Sequence, residues 1–99
     1  MGIIEYYKKT VEVVCDLTGV SEKDIAGKRR QRELVDARCL VVMLLKEAGY
    51  YPTQIAPVMG MSVRWVQKIS ATFADRMNYS SDPMLRRNWE VSAKALRMN

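Results

Sequence analysis

The amino-acid sequence predicts an all-α fold, a small bundle of about six helices that contains a helix-turn-helix. Apolar residues recur at three- and four-residue intervals along most of the chain, which is the spacing of amphipathic helices. Glycine, proline and N-capping residues divide the chain at short intervals, and no alternating pattern bounded by hairpin turns predicts a strand. The length of 99 residues suits a single domain over residues 1–99, with residues 82–99 as its C-terminal helical extension.

Two helices are predicted in the first quarter of the chain. The first covers residues 3–18, with its apolar side chains on one face, and ends at Gly19. The second is short, because Ser21 is suited to an N-cap and Gly27 follows after about one and a half turns. We therefore expect a long helix, then a short one that leads into an exposed loop.

The loop at residues 27–32, called the basic loop below, has four cations in the five residues after its glycine: Lys28, Arg29, Arg30 and Arg32. It is interpreted either as a solvated surface loop or as a segment that contacts DNA phosphates or inserts an arginine into a minor groove. A long central helix is predicted next, over residues 33–48, closed by Gly49. Arg38 falls in its first two turns and is expected off its apolar face.

A fourth helix is predicted over residues 54–59, after the break at residues 50–52. Thr53 is its expected N-cap. Pro57 then occupies the fourth helical position, where a missing N–H costs little because the first N–H groups of a helix have no internal acceptor. The expected inward positions are Ile55, Ala56 and Val58.

The next helix follows a turn at Gly60 and Met61, and Ser62 is expected to cap it. A short helix, a turn and a capped second helix form the arrangement that places a second helix in the DNA major groove. The exposed face of this helix carries, at spacings i, i+3, i+4 and i+7, Arg64, Gln67, Lys68 and Ala71.

These side-chain types can read DNA. Arginine and lysine can donate to guanine, glutamine can pair with adenine, and an alanine methyl can touch a thymine methyl. Ser62 and the first N–H groups of the helix are placed to bind a phosphate. The alternative is an ordinary solvated helix face.

A last helix is predicted from Pro83 to about residue 97, with Asp82 as its cap. It should pack onto the bundle, or onto a second copy of the chain, through Leu85, Trp89, Ser92 and Leu96. A homodimer is therefore among the expected assemblies.

The charge balance favours a polyanionic partner. The net charge is +5 and the isoelectric point is near 9.4. Residues 27–76 hold nine positive and four negative side chains, whereas residues 1–26 hold three and five. The positive excess therefore lies in the segment that contains the basic loop and the helix-turn-helix.

Several function classes are disfavoured by what the sequence lacks. It has two cysteines, no histidine and no CxxC pair, so we expect no metal site, no cofactor, no small-molecule substrate and no catalytic activity. The longest apolar run, residues 39–45, is too short to cross a membrane, and no leader pattern opens the chain. We expect a cytoplasmic, nucleoid-associated protein with no membrane partner.

Residues 11–77 resemble the C-terminal DNA-binding domain of the bacterial replication initiator DnaA, a member of the Trp-repressor-like helix-turn-helix superfamily. The basic loop Gly27-Lys28-Arg29-Arg30-Gln31-Arg32 matches that family's "S-K-R-R-x-R", and Ala37-Arg38-Cys39 matches its "A-R-Q". The resemblance implies double-stranded DNA binding in replication initiation or transcription regulation. It also implies that Arg29 or Arg30 enters a minor groove and that Arg38 contacts a phosphate.

The chain departs from that family in its reading residues. The family's "G-G-R-D-H-[ST]-T-V" is here Met-Gly-Met-Ser-Val-Arg-Trp-Val, at residues 59–66, so the target site should differ from the usual initiator box. Cys39 also replaces a glutamine that can contact DNA. The alternative function is a protein-interaction module on the same scaffold, with Met61, Val63 and Trp65 exposed. Two interpretations of Trp65 are open: contact with DNA, and partial burial against Ile69, where the ring would seal the bundle. Partial burial is favoured.

Overall fold

Six α-helices follow one another in the computed structural model of the protein, which describes residues 2–78 and 83–97. They are α1 Ile3–Thr18, α2 Glu22–Ala26, α3 Arg32–Glu47, α4 Pro52–Met59, α5 Val63–Asn78 and α6 Pro83–Arg97. Residues 2–78 and 83–97 contain no strand. The predicted all-α bundle of six helices is confirmed, and within the same residues no helix is long and apolar enough to cross a membrane.

Helix α3 lies at the centre of the bundle and packs against the other five helices. Residues 39–42 are all buried, so α3 is covered on every side over this stretch. Around it the core is completed by fully buried side chains from four other helices: Val14, Ile25, Ile55 and Val66. The position of every element near the basic loop therefore depends on α3.

The ends of α2, α4 and α5 follow from local chemistry. Ser21 caps α2 by accepting a hydrogen bond from the Asp24 N–H at 3.1 Å, as expected. Ser62 caps α5 in the same way, accepting from the Trp65 N–H at 3.1 Å. Gly60 ends α4 with φ of 67°, a left-handed conformation that glycine adopts without the steric cost of a Cβ.

The predicted start of α4 was wrong. The helix begins at Pro52, and Thr53 lies inside it rather than at the cap. Proline suits the first helical position because its φ is preset and its missing N–H would have no internal acceptor. The Tyr51 N–H just before it donates to Gln54 Oε1 at 2.8 Å. Pro57 is consequently the sixth helical residue.

Helix α6 packs onto the bundle of its own chain, against α1 and α3. Leu85, Ser92 and Leu96 are buried as expected, and the Trp89 ring meets the Phe73 ring edge-on with centroids 5.2 Å apart. The expected cap, Asp82, lies outside the described residues. Helix α6 thus completes the bundle beside α5.

Candidate nucleic-acid interface

A groove of about 590 Å³ separates the basic loop from the start of α5. Lys28 and Arg30 line it on the loop side, and Met61 and Ser62 line it on the side of the turn between α4 and α5. These segments are about 30 residues apart in the sequence, and both lie against α3 or its immediate neighbours. The fold thus brings the loop and the N-terminal end of α5 to one surface.

The predicted site residues divide into two groups around this groove. Four of them line it: Lys28, Arg30, Arg38 and Ser62. The other five are exposed and do not line it: Arg29, Arg32, Arg64, Gln67 and Lys68. Arg32 belongs to the first turn of α3 rather than to the loop, and its Nε lies 3.9 Å from Asp36 Oδ2.

The expectation that Arg38 lies off the buried face of α3 was wrong. Arg38 is only 8% exposed. Its guanidinium donates from Nε to the Ile25 carbonyl at 3.0 Å, from Nη2 to the Asp24 carbonyl at 2.8 Å, and from Nη1 to the Arg29 carbonyl. The reason is that α2 and the basic loop cover the first turns of α3, a contact that helical periodicity does not reveal. Arg38 holds the protein's own backbone, and the phosphate contact implied by the resemblance is not supported.

The faces of α5 are arranged as the sequence predicts. Val66, Ile69 and Phe73 are buried in the core, and the opposite face, with Arg64, Gln67, Lys68 and Ala71, is exposed. An ion pair between Arg76 Nη1 and Asp36 Oδ1, at 2.9 Å, joins α5 to α3. A hydrogen bond from Lys46 Nζ to Ser70 Oγ joins the same two helices. The exposed face is therefore presented by a helix that is held at two points.

The N-terminal end of α5 combines a cap with unpaired backbone donors. The Ser62 carbonyl accepts from the Val66 N–H at 3.2 Å, and its hydroxyl oxygen accepts from the Trp65 N–H. Helical geometry leaves the N–H groups of Val63 and Arg64 without acceptors inside α5. Together with the partial positive charge of the helix end, these donors suit an anion such as a phosphate.

Trp65 projects from the first turn of α5 beside the groove. Its side chain is 44% exposed, and Lys68 Nζ lies 5.3 Å from the ring centroid in a cation–π contact. Trp65 lines the groove together with Ile69. The favoured interpretation, burial beside Ile69, overstates the burial, because Trp65 is among the exposed large apolar side chains of the described residues.

The apolar floor of the groove was not foreseen from the sequence. Val35 and Cys39 contribute from successive turns of α3, and Met59 and Met61 contribute from the end of α4 and the turn. Burial, reinforced by the nearby Asp36 carboxylate, raises the pKa of the Cys39 thiol to about 11, so this thiol is neutral at pH 7. The sequence shows that Val35 and Cys39 are four residues apart and therefore share a face of α3. It does not show which helix end packs opposite that face.

No protein-family model, curated protein or solved structure matches this chain. Within the part of the chain that the structure describes, no three histidine, cysteine, aspartate or glutamate side chains gather in a way that could hold a metal ion.

Proposed function

We propose that this domain binds double-stranded DNA, with the start of α5 in the major groove and the basic loop on the adjacent backbone or minor groove. The observation that carries the proposal is the shared groove. Lys28 and Arg30 face it from the loop, and Ser62 faces it from the cap of α5. A duplex lying across this surface would meet both elements at once.

The order and exposure of the elements support the same function. Helix α4, the turn at Gly60 and the capped helix α5 follow one another as in a helix-turn-helix. Arg64, Gln67 and Lys68 are exposed on α5, and these residue types can read base edges. The residues that line the groove include two exposed cations, Lys28 and Arg30, and no carboxylate, which suits a phosphate backbone.

The resemblance to the DnaA DNA-binding domain supports a role in replication initiation or transcription regulation. The different residues at positions 59–66 point to a target site other than the usual initiator box. We therefore assign the proposed specificity to Arg64 and Gln67 of this chain and not to the family's reading residues.

A protein-interaction module is the second candidate function, and one observation favours it. Trp65 is 44% exposed beside a groove whose floor includes Met59 and Met61. Aromatic and methionine side chains are enriched at the centre of protein interfaces. Of the expected exposed residues only Trp65 is exposed, because Met61 and Val63 are partly buried against the core. DNA binding remains the better proposal because the groove is bordered by Lys28 and Arg30, and it accounts for the exposed polar face of α5 as well.

The proposal is tested by selecting duplexes from random DNA with the purified domain and comparing the selected site with random DNA. Arg64→Ala should weaken binding to the selected site by about 1–3 kcal/mol, because a base contact is lost, and leave binding to random DNA nearly unchanged. Dissociation constants from fluorescence anisotropy at two salt concentrations check both values.

The matched control is Arg29→Ala, which removes the same charge from the basic loop. A residue that mainly contacts phosphate should weaken all duplexes by similar factors. Equal losses on both duplexes for Arg64→Ala would reduce its role to phosphate contact. No loss on either would remove α5 from the interface and favour the protein-interaction function.

A further inference from the structure

We infer that Arg38 is a positioning residue that sets DNA affinity by fixing the basic loop, without itself touching DNA. The inference rests on the proposed function for its effect on DNA. It differs from the phosphate contact that the family resemblance implies, because the side chain points into the protein. The contacts of its guanidinium carry the argument.

The guanidinium of Arg38 joins three segments of the chain. From α3 it reaches the carbonyls of Asp24 and Ile25 at the end of α2, at 2.8 and 3.0 Å, and the carbonyl of Arg29 in the basic loop. Each of its three nitrogen atoms makes one of these bonds. The loop backbone is thus tied to two helices by one side chain.

Arginine suits this position for electrostatic and geometric reasons. A buried positive charge is costly unless polar groups surround it. Here the carbonyls of Asp24, Ile25 and Arg29 supply that environment, because each accepts a hydrogen bond from one of the three guanidinium nitrogens. The planar fork of guanidinium donors can reach three carbonyls at once, whereas a lysine ammonium is a compact point charge on a flexible stem.

The basic loop needs such a contact because its own side chains do not anchor it. Lys28, Arg29, Arg30 and Gln31 are all exposed, and three adjacent cations repel one another. A loop that must be ordered on binding loses affinity to the entropy of ordering, and a loop held beforehand avoids that loss. The bond from Arg38 to the Arg29 carbonyl fixes the loop at the residue between Lys28 and Arg30.

The test compares Arg38→Lys and Arg38→Met in the full chain. If Arg38 positions the loop, the lysine variant keeps the charge but loses the fork, so both variants should bind DNA roughly tenfold more weakly, as when phosphate contacts are lost. Without DNA, both should also be cut faster by trypsin after Lys28, Arg29 and Arg30, because the loop is released. Arg76→Lys, which alters an arginine that joins α5 to α3, is the control and should leave loop cleavage unchanged.

A double-mutant cycle separates positioning from contact. In a background of Lys28→Ala, Arg29→Ala and Arg30→Ala, Arg38→Lys should cause little further loss of affinity, because the exposed loop cations through which it acts are gone. Additive losses would mean that Arg38 contacts DNA directly and would overturn the inference. So would wild-type affinity and wild-type trypsin cleavage of Arg38→Lys.

Two further outcomes concern the folding of the variants and DNA binding by the wild type. If neither Arg38→Lys nor Arg38→Met folds, as judged by circular dichroism, Arg38 supports the core rather than the loop and the inference fails. If the wild-type domain binds no duplex, the proposed function fails. Trypsin cleavage of the loop would then still show whether Arg38 holds it, so the two failures are distinguishable.

Discussion

Arg38 and Cys39 are neighbours on α3, and both side chains line the groove. Arg38 is 8% exposed, and so is Cys39, yet their roles differ because of their chemistry. The guanidinium finds three carbonyls, whereas the thiol serves as a small apolar group in the groove floor. At the residue scale, the role of each buried side chain at this interface therefore depends on which groups pack against it.

The thiol of Cys39 should make stability depend on pH in the alkaline range. Burial, with a contribution from Asp36, raises its pKa from 9.0 to about 11 in the folded protein. Its contribution to stability is complete below about pH 9, where both states are protonated. It is lost between about pH 9 and 11, since only the unfolded chain then releases the proton, and the loss should be on the order of 2 kcal/mol.

Urea denaturation at pH 7, 9 and 11 measures this loss, with Cys39→Ala as the comparison. The variant lacks the thiol, so its free energy of unfolding should fall less steeply between pH 9 and 11. Its lower stability at pH 7, caused by the missing sulfur atom, does not affect the slope. Parallel pH profiles for the two proteins would contradict the assigned pKa.

Helices α2 and α5 offer a matched pair at the element scale, because each is capped by a serine. Ser21 accepts from the Asp24 N–H and Ser62 accepts from the Trp65 N–H, both at 3.1 Å. The two hydrogen bonds are equivalent within their helices. Ser62 lines the groove and Ser21 does not, so the pair separates the capping of a helix from the binding of DNA.

We expect Ser62→Ala to lower the free energy of unfolding by about 1 kcal/mol, the usual value of a serine cap. It should also weaken DNA binding, since the hydroxyl and the frayed helix end no longer hold a phosphate. Ser21→Ala should cost a similar amount of stability and weaken DNA binding less, because Ser21 lies outside the groove and acts on the loop only through α2 and Arg38. Thermal unfolding and anisotropy measure the two effects. Equal changes of affinity in both variants would assign Ser62 to capping alone.

The whole molecule brings a basic loop and a helix end together around a central helix. Since α3 packs against every other helix, it positions α2 and the loop on one side and α4 and α5 on another. Of the cations in residues 27–76, Lys28 and Arg30 line the groove with exposed side chains, and Arg29, Arg64 and Lys68 are exposed outside it. These exposed cations should govern how DNA binding depends on salt.

Five exposed cations of the proposed interface are Lys28, Arg29, Arg30, Arg64 and Lys68. If each neutralises one phosphate, the logarithm of the binding constant should fall against the logarithm of salt concentration with a slope of about −4 to −5. Lys28→Ala should reduce the magnitude of that slope by about one. Lys94→Ala, which removes an exposed charge from α6, should leave it unchanged. A slope near zero would favour an apolar protein interface instead.

The sequence by itself determined the helices and most of their ends. Helical periodicity and capping depend on residues within one or two turns of each other, so they can be recognised without a fold. The bounds of α1 were predicted to the residue, and Ser21 and Ser62 were identified as caps. The start of α4 was predicted wrongly. Thr53 as an N-cap and Pro52 at the first helical position are competing local signals, and the helix begins at the proline.

The tertiary structure alone decided which residues meet across the groove. The burial of Arg38 requires α2 and the basic loop to cover α3, and its contacts reach 9 to 14 residues back along the chain. The partial exposure of Trp65 and the apolar floor formed by Val35 and Met61 depend in the same way on how α3 and α5 pack. Periodicity states which face of a helix is apolar, but it does not state which neighbour covers the remaining faces. That depends on the packing of all six helices together, since a polar residue is buried wherever a neighbouring backbone can satisfy its hydrogen bonds.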